Sequence, residues 1–196
     1  MTAEELRARL HAIAAEPHEG FVAYGDDMLM AMAQPPIPAA VLVPVVLGPA
    51  PGILLTKRNA HLKQHAGQVS FPGGRIDLNE TPEQAALREA EEEIALDPHE
   101  VEVLGRMADY ITRTGFRITP VLGLIPPGLT LHPSPHEVDS VFELPVTVLL
   151  DPTAPERREH SDQGRTREYW VWPHPDYYIW GATAAILVHL AQKLRP

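Results

Sequence analysis

Apolar and polar positions along this chain recur at two spacings, one helical and one extended, and these divide it into elements. From Met1 to Pro17, Leu6, Leu10 and Ile13 stand among Glu4, Glu5, Arg7 and Arg9, the pattern of a short amphipathic helix. After a proline-rich passage ending near Pro38 come two β-rich runs, Val41 to Leu47 and Ile53 to Arg58. The turn-forming Pro49-Ala50-Pro51-Gly52 between them predicts a hairpin. A loop over Asn59 to Ala66 then leads to a short strand at Gln68 to Phe71 and a break at Pro72-Gly73-Gly74.

A well-bounded helix is expected next. Thr81 suits the N-cap, Pro82 the first helical position and Gln84 the third position of a capping box, with Pro98 as the stop. Leu87, Ala90 and Ile94 recur at helical spacing and would face a sheet. Glu89, Glu92 and Glu93 fall on another face, so the carboxylates are expected to point away from the core. Beyond it the pattern predicts strands at Val101 to Tyr110 and Phe116 to Ile125, a proline-rich loop to Pro135, and a strand at Val141 to Leu144. A last hairpin turning at Asp162-Gln163-Gly164, with Glu168 to Trp172 as its second strand, precedes a helix from Gly181 to Leu194. Strands and helices in this order predict an α/β fold, a mixed-sheet α/β/α sandwich.

With 196 residues and 44% hydrophobic content, the chain suits a single domain, residues 1–38 forming a helix and lead-in. Twenty-six acidic residues against 16 basic ones give a net charge of -10, so neither nucleic acid nor an anionic membrane is an expected partner. Cysteine is absent, which excludes disulfides and thiolate chemistry. The N-terminal stretch lacks a signal peptide's apolar centre. The most apolar run, Ala39 to Gly48, is interrupted by Pro44 and is shorter than the roughly 20 residues of a membrane span. A cytoplasmic location is therefore expected, and a homodimer is among the assemblies left open.

Glu89, Glu91, Glu92 and Glu93 lie within five positions. On a helix, side chains three or four apart have Cβ atoms about 5 to 6 Å from each other. Each like-charge pair then costs roughly 3 kcal/mol at an effective dielectric of 20, and below about 1 kcal/mol when fully hydrated. Such an array is either a solvated acidic face or a site for a hard divalent cation; Mg²⁺ typically takes one or two carboxylates and shares its shell with substrate phosphates.

The context of the array decides between them. From Gly74 the chain reads GRIDLNETPEQAALREAEEEIAL, which resembles the Nudix box, G-x5-E-x7-REUxEExGU with U a bulky aliphatic residue. Gly74, Glu80, Arg88, Glu89, Glu92, Glu93 and Leu96 match; Ala90 is small for its place and Ala95 replaces a glycine. Because a left-handed conformation costs an L-residue roughly 1 to 2 kcal/mol, Ala95 is expected to stay helical, with the stop at Pro98.

Leu54 to Gly74, LLTKRNAHLKQHAGQVSFPGG, is similar to the signature LLTxRSxxLRxHxGQVxFPGG of the coenzyme A pyrophosphatase subfamily, with Asn59 for serine and Lys63 for arginine. Segments 137–150 and 179–184 extend the resemblance over roughly residues 39–190. The resemblance implies metal-dependent cleavage of coenzyme A to 3',5'-ADP and 4'-phosphopantetheine. It assigns Glu89, Glu93 and Glu92 to Mg²⁺ or Mn²⁺, with Glu92 the alternative general base and Arg88 orienting the glutamates. Arg58, His65, Gln68, Gly73 and Gly74 become substrate contacts, with Lys57, Lys63 and Glu137 as further candidates and Glu137 as a second possible base. Other conjugates, such as ADP-ribose or a dinucleoside polyphosphate, and a noncatalytic nucleotide sensor are the competing readings.

Two of only three lysines, Lys57 and Lys63, lie in this segment with Arg58, His61 and His65, a basic concentration suited to phosphates. The two histidines lie on an expected loop with no further ligand pattern, which speaks against zinc. The aromatics Tyr169, Trp170, Trp172, Tyr177, Tyr178 and Trp180 are expected mainly to fill the core, with one left to line a base pocket.

Overall fold

A computed structural model describes residues 1–17, 35–62, 65–112, 114–162 and 165–195. Helix α1 (Ala3–Ala14) is closed by a Thr2–Glu5 capping box. Strands β1 (Ile37–Val46) and β2 (Gly52–Arg58) form the expected hairpin, paired antiparallel at Val45 with Ile53 and Val46 with Gly52. They then splay apart, and the next segment fills the gap. Its β3 (Val69–Ser70) pairs with β2, and its β4 (Gly73–Arg75) pairs with β1. The expected break at Pro72-Gly73-Gly74 is confined to Pro72, and Gly73–Arg75 pair as a strand because β1 has a free edge where β2 leaves it. Pro44, which has no N–H to donate, sits between these two partners of β1 on that edge.

On its other edge β1 runs parallel to β7 (Phe116–Ile125) through ten registered pairs, which makes the sheet mixed. β5 (Glu102–Arg106) and β6 (Tyr110–Ile111) pair antiparallel with β7. The single strand expected over Val101 to Tyr110 is interrupted around Asp109, whose carboxylate accepts from Thr119 Oγ1 at 2.7 Å and pairs with Arg117. β8 (Val138–Pro145) closes the sheet against β2 and runs longer than the expected Val141 to Leu144. After α3 (Val146–Leu150), strands β9 (Glu156–Asp162), β10 (Arg165–Trp172) and β11 (Ile179–Trp180) form a second, antiparallel sheet, and α4 (Gly181–Leu194) follows. Gln163 and Gly164 of the expected turn, Lys63, and residues 18–34 of the lead-in lie outside the described residues. Among the described residues no helix is long and apolar enough to cross a membrane.

Helix α2 (Pro82–Ile94) begins as the sequence predicts, with the Thr81–Gln84 capping box and Pro82 in its first turn. Ala85, Ala86, Ala90 and Ile94 are buried with Ala40, Leu42, Val121 and Ile125 of the sheet. Three alanines on this face let helix and sheet approach closely, which accounts for Ala90 at a position usually bulky. The opposite face of the sheet, with Val43, Val45, Leu55, Leu122 and Leu124, is covered by α1 and α4.

Two expectations for α2 are corrected. Ala95 does not stay helical: it adopts the left-handed conformation (φ 54°, ψ 36°), and the helix stops at Ile94. Pro98 instead opens a short 3₁₀ turn. Burying Leu96 requires the chain to turn back at Ala95, and the final carbonyls, those of Glu93 and Ile94, accept from Ser134 and His132 N–H groups in the incoming loop. Nor do all the carboxylates avoid the core, since Glu93 is only 2% exposed.

Candidate active site

A cleft of about 740 Å³ opens between the sheet face carrying Ala39, Val41 and Ile118 and the wall formed by β10, β11 and the start of α4. The first turn of α4 is fixed to β3 by a buried hydrogen bond from Thr183 Oγ1 to the Val69 carbonyl, at 3.0 Å. Glu89, Glu93, Glu137 and Arg58 line one end of the cleft.

Three local features build that end. The chain between β2 and β3 closes on Arg58, whose N–H donates to the Gln68 carbonyl and whose carbonyl accepts from Gly67. Gly73 and Gly74 then pass tightly by: a Cβ at Gly73 would stand 2.4 Å from the Ala40 carbonyl oxygen, and one at Gly74 2.3 Å from Glu89 Oε1. Only glycine permits these approaches. Finally, the loop that caps α2 through His132 and Ser134 is tied to Asn59, which donates from its backbone to the Glu137 carbonyl and from Nδ2 to the Pro135 carbonyl. This brings Glu137 to the glutamates of α2.

The electrostatics follow from burial. Glu93 accepts from Gly73 N–H at 3.3 Å and pairs with Arg58 at 3.4 Å, both long contacts. Burial, helped by the charges of Glu89 and Glu137, outweighs Arg58 and Gly73 and raises the Glu93 pKa to about 7. Burial also raises that of Glu89, although Arg88 pulls the other way. Arg88 holds Glu80 through Nε (2.8 Å) and Nη2 (3.0 Å) and Glu89 through Nη1 (2.9 Å), while its Nη2 also donates to the Arg75 carbonyl. The Arg88 pair keeps the Glu80 carboxyl below its ordinary range. Glu80 thereby steadies Arg88, and Arg88 steadies Glu89.

The donor set suits a hard divalent cation. It is made of carboxylate oxygen, it is too negative for its burial, and glycine leaves room beside Glu89 where any other residue would put a Cβ. No group of three or more His, Asp or Glu among the described residues stands ready as a closed cage. A cation here would have to take water and substrate oxygen for much of its shell, as Mg²⁺ commonly does.

Of the residues singled out in the sequence, Arg58, His65, Gln68, Gly73, Gly74, Glu89, Glu93 and Glu137 share this cleft. His65 Nδ1 bonds Gln68 Oε1 at 2.9 Å, and because that oxygen only accepts, Nδ1 carries the proton. Arg88 stands behind the site. Glu92, with 59% of its side chain exposed, does not line the cleft and lies 3.5 Å from Arg88. Lys57 is drawn to Asp139 at 2.8 Å, and His132 and His136 do not line the cleft.

The aromatics divide. Trp172 is fully buried and Tyr177 stacks on Phe142 at 3.7 Å, whereas Tyr169, Trp170 and Trp180 line the cleft. Sequence reasoning passed over Arg75, Tyr110, Thr112, Thr114 and Phe116, which also line it. Arg75 stood in full view inside the glutamate motif, at a position where that motif specifies nothing.

A mixed sheet whose forked edge receives a glutamate-bearing helix, beside a cleft of nucleotide dimensions, defines a class of phosphoanhydride hydrolases. Comparison with known proteins gives the family. A NUDIX domain model matches residues 36–175. The chain is 45% identical over 157 residues to the uncharacterized Nudix hydrolase NudL of Escherichia fergusonii, which spans 80% of this chain and 82% of that protein. It is equally 45% identical over 157 residues, with the same coverage, to the NudL of Citrobacter koseri. Among solved structures, the Nudix hydrolase RenU from M. smegmatis matches with a TM-score of 0.50 at 26% identity, over 65% of this chain and 80% of that one. The chain belongs to the Nudix family and is a Nudix hydrolase of a nucleoside diphosphate conjugate. Nudix hydrolases generally use divalent metals such as Mg²⁺ or Mn²⁺.

Proposed function

We propose that this enzyme hydrolyses the diphosphate bond of coenzyme A to 3',5'-ADP and 4'-phosphopantetheine, using Mg²⁺ or Mn²⁺ held by Glu89 and Glu93. One observation carries the reading: the segment that resembles the coenzyme A signature, residues 54–74, contributes Arg58, His65, Gln68, Gly73 and Gly74 to the cleft that receives those glutamates. We read residues 1–196 as one domain that acts in the cytoplasm on this small molecule.

When bound, the cation would supply charge to offset the diphosphate and lower the pKa of the attacking water. The protein's own groups do the rest. Arg88 fixes the Glu89 carboxylate, and Arg58 both restrains Glu93 and offers a guanidinium to a phosphate oxygen; its Nε is buried without a hydrogen-bond partner among the described residues. Gln68 fixes the tautomer of His65 and leaves Nε2 for the substrate. Glu92 either completes the oxygen set or takes the proton from water. Glu137 is the second candidate base and, unlike Glu92, lines the cleft.

The test is incubation of the purified protein with coenzyme A and Mg²⁺ or Mn²⁺, with products identified by mass spectrometry. The expected outcome is metal-dependent 3',5'-ADP and 4'-phosphopantetheine, reduced in Glu93→Gln by more than the roughly hundredfold seen for the largest outer-shell losses. Hydrolysis of ADP-ribose or a dinucleoside polyphosphate with coenzyme A left intact refutes the substrate. Near-normal turnover by Glu93→Gln refutes the site.

A further inference from the structure

Among the arginines whose side chains are described, all but one hydrogen-bond or pair with a carboxylate or carbonyl. Arg7, Arg58, Arg88, Arg106, Arg117, Arg157 and Arg158 each meet an acidic side chain, and Arg9 and Arg195 donate to carbonyls. The exception is Arg75, which lines the cleft with its guanidinium 5.7 Å from the centre of the Phe116 ring. In a chain of net charge -10, acidic partners are plentiful, so an exposed arginine on a cleft wall, left without one among the described residues, is available to an anion from outside.

The register says which anion. On β1, Val41 pairs with Gly73, whose N–H reaches Glu93; Ala39 pairs with Arg75; and Ile37 pairs with Phe116 on the other side. At about 3.3 Å per residue, the four positions from Val41 to Ile37 cover about 13 Å along the strand. Arg75 therefore leans along β1 away from the glutamates, toward Phe116. Its guanidinium, beside Phe116, lies farther along β1 than Gly73, whose N–H meets Glu93, yet it lines the same cleft. Thr112 and Thr114, whose hydroxyls meet at 2.9 Å, line this stretch and add neutral hydrogen-bonding groups. At 5.7 Å from the ring centre the guanidinium is within cation–π reach of Phe116, a contact that leaves its N–H groups available to phosphate.

We propose that Arg75 binds a second phosphate of the substrate, a monoester on the nucleoside sugar and not the scissile diphosphate, and so sets the preference for conjugates that carry it. This rests on the coenzyme A reading above for the identity of the conjugate but not for the binding itself.

The experiment is calorimetric titration of the full chain with adenosine 3',5'-bisphosphate and, separately, with adenosine 5'-monophosphate. The wild type is expected to bind the bisphosphate at least about tenfold tighter, a difference of about 1.4 kcal/mol. Arg75→Gln brings the two affinities together by weakening only the bisphosphate, and Arg75→Lys recovers part of the difference. Equal affinities in the wild type, or a loss in the variant that falls equally on both ligands, overturns the proposal. A wild type that prefers the bisphosphate through Arg75 but leaves coenzyme A intact supports this role and sinks the substrate reading alone.

Discussion

At the glutamate end of the cleft, Arg58 and Arg88 meet carboxylates, and the charge left over is negative and partly buried; along the opposite stretch the surfaces are aromatic, apolar or hydroxyl-bearing, and Arg75 has no acidic partner among the described residues. The first region stores unfavourable charge that a bound cation would relieve, as the proposed reaction requires. The second, with its broad surfaces and Arg75, is the part that the proposal gives to recognition. In the proposed reading, chemistry rests mainly on α2, and selectivity on Arg75 of β4 with the β6–β7 and β10–β11 regions that face it.

The largest expected consequence of the stored charge concerns stability. Glu93 has a folded pKa of about 7 against an ordinary 4.5, so the folded state holds its proton to higher pH than the unfolded chain does. Its contribution is therefore fully present below about pH 4.5 and is lost as pH rises through about 7, a change of up to about 3 kcal/mol. Urea midpoints in chelator, measured from pH 5 to 8, should show the wild type losing stability relative to Glu93→Gln, and Mg²⁺ should reverse the loss. A difference that does not change with pH would mean that the charge is not stored there.

A smaller effect sharpens the contrast between the two ends. Arg88→Gln releases Glu80 and Glu89 together and should cost roughly 10- to 100-fold in turnover, with the bisphosphate preference of the opposite stretch intact. If that preference collapsed with turnover, the two ends would be one unit. The smallest effect is a gain: Ala95→Gly relieves the left-handed stop of α2 and should raise stability by about 1 kcal/mol, or roughly 2 to 4 °C in Tm, without altering turnover.

The same division explains what was legible in the sequence. The bounds of α2 at its N-terminus and the clustering of Glu89 and Glu93 depend on neighbours within a turn or two, so caps and spacing reveal them. The β1–β2 hairpin is local for the same reason. The burial of Glu93 was not legible, because it depends on Gly73 and Arg58 of distant strands. Nor was the left-handed Ala95, which is imposed by the buried Leu96 and by carbonyls claimed from His132 and Ser134. The parallel pairing of β1 with β7, nearly eighty residues on, leaves no mark on either strand's own pattern. The aromatic wall was half legible: six large rings were visible, but which of them face a cleft depends on the packing of the second sheet.

The fork in the sheet has an engineering corollary. The loop between β2 and β3 leaves at Arg58, and the chain rejoins β1 at Gly73; ladder hydrogen bonds anchor both points and do not involve the loop's outer side chains. Asn59 holds the loop that carries Glu137, and His65 to Gln68 hold the cleft end, so exchange confined to residues 60–62 leaves the sheet its register and the glutamate helix its seat.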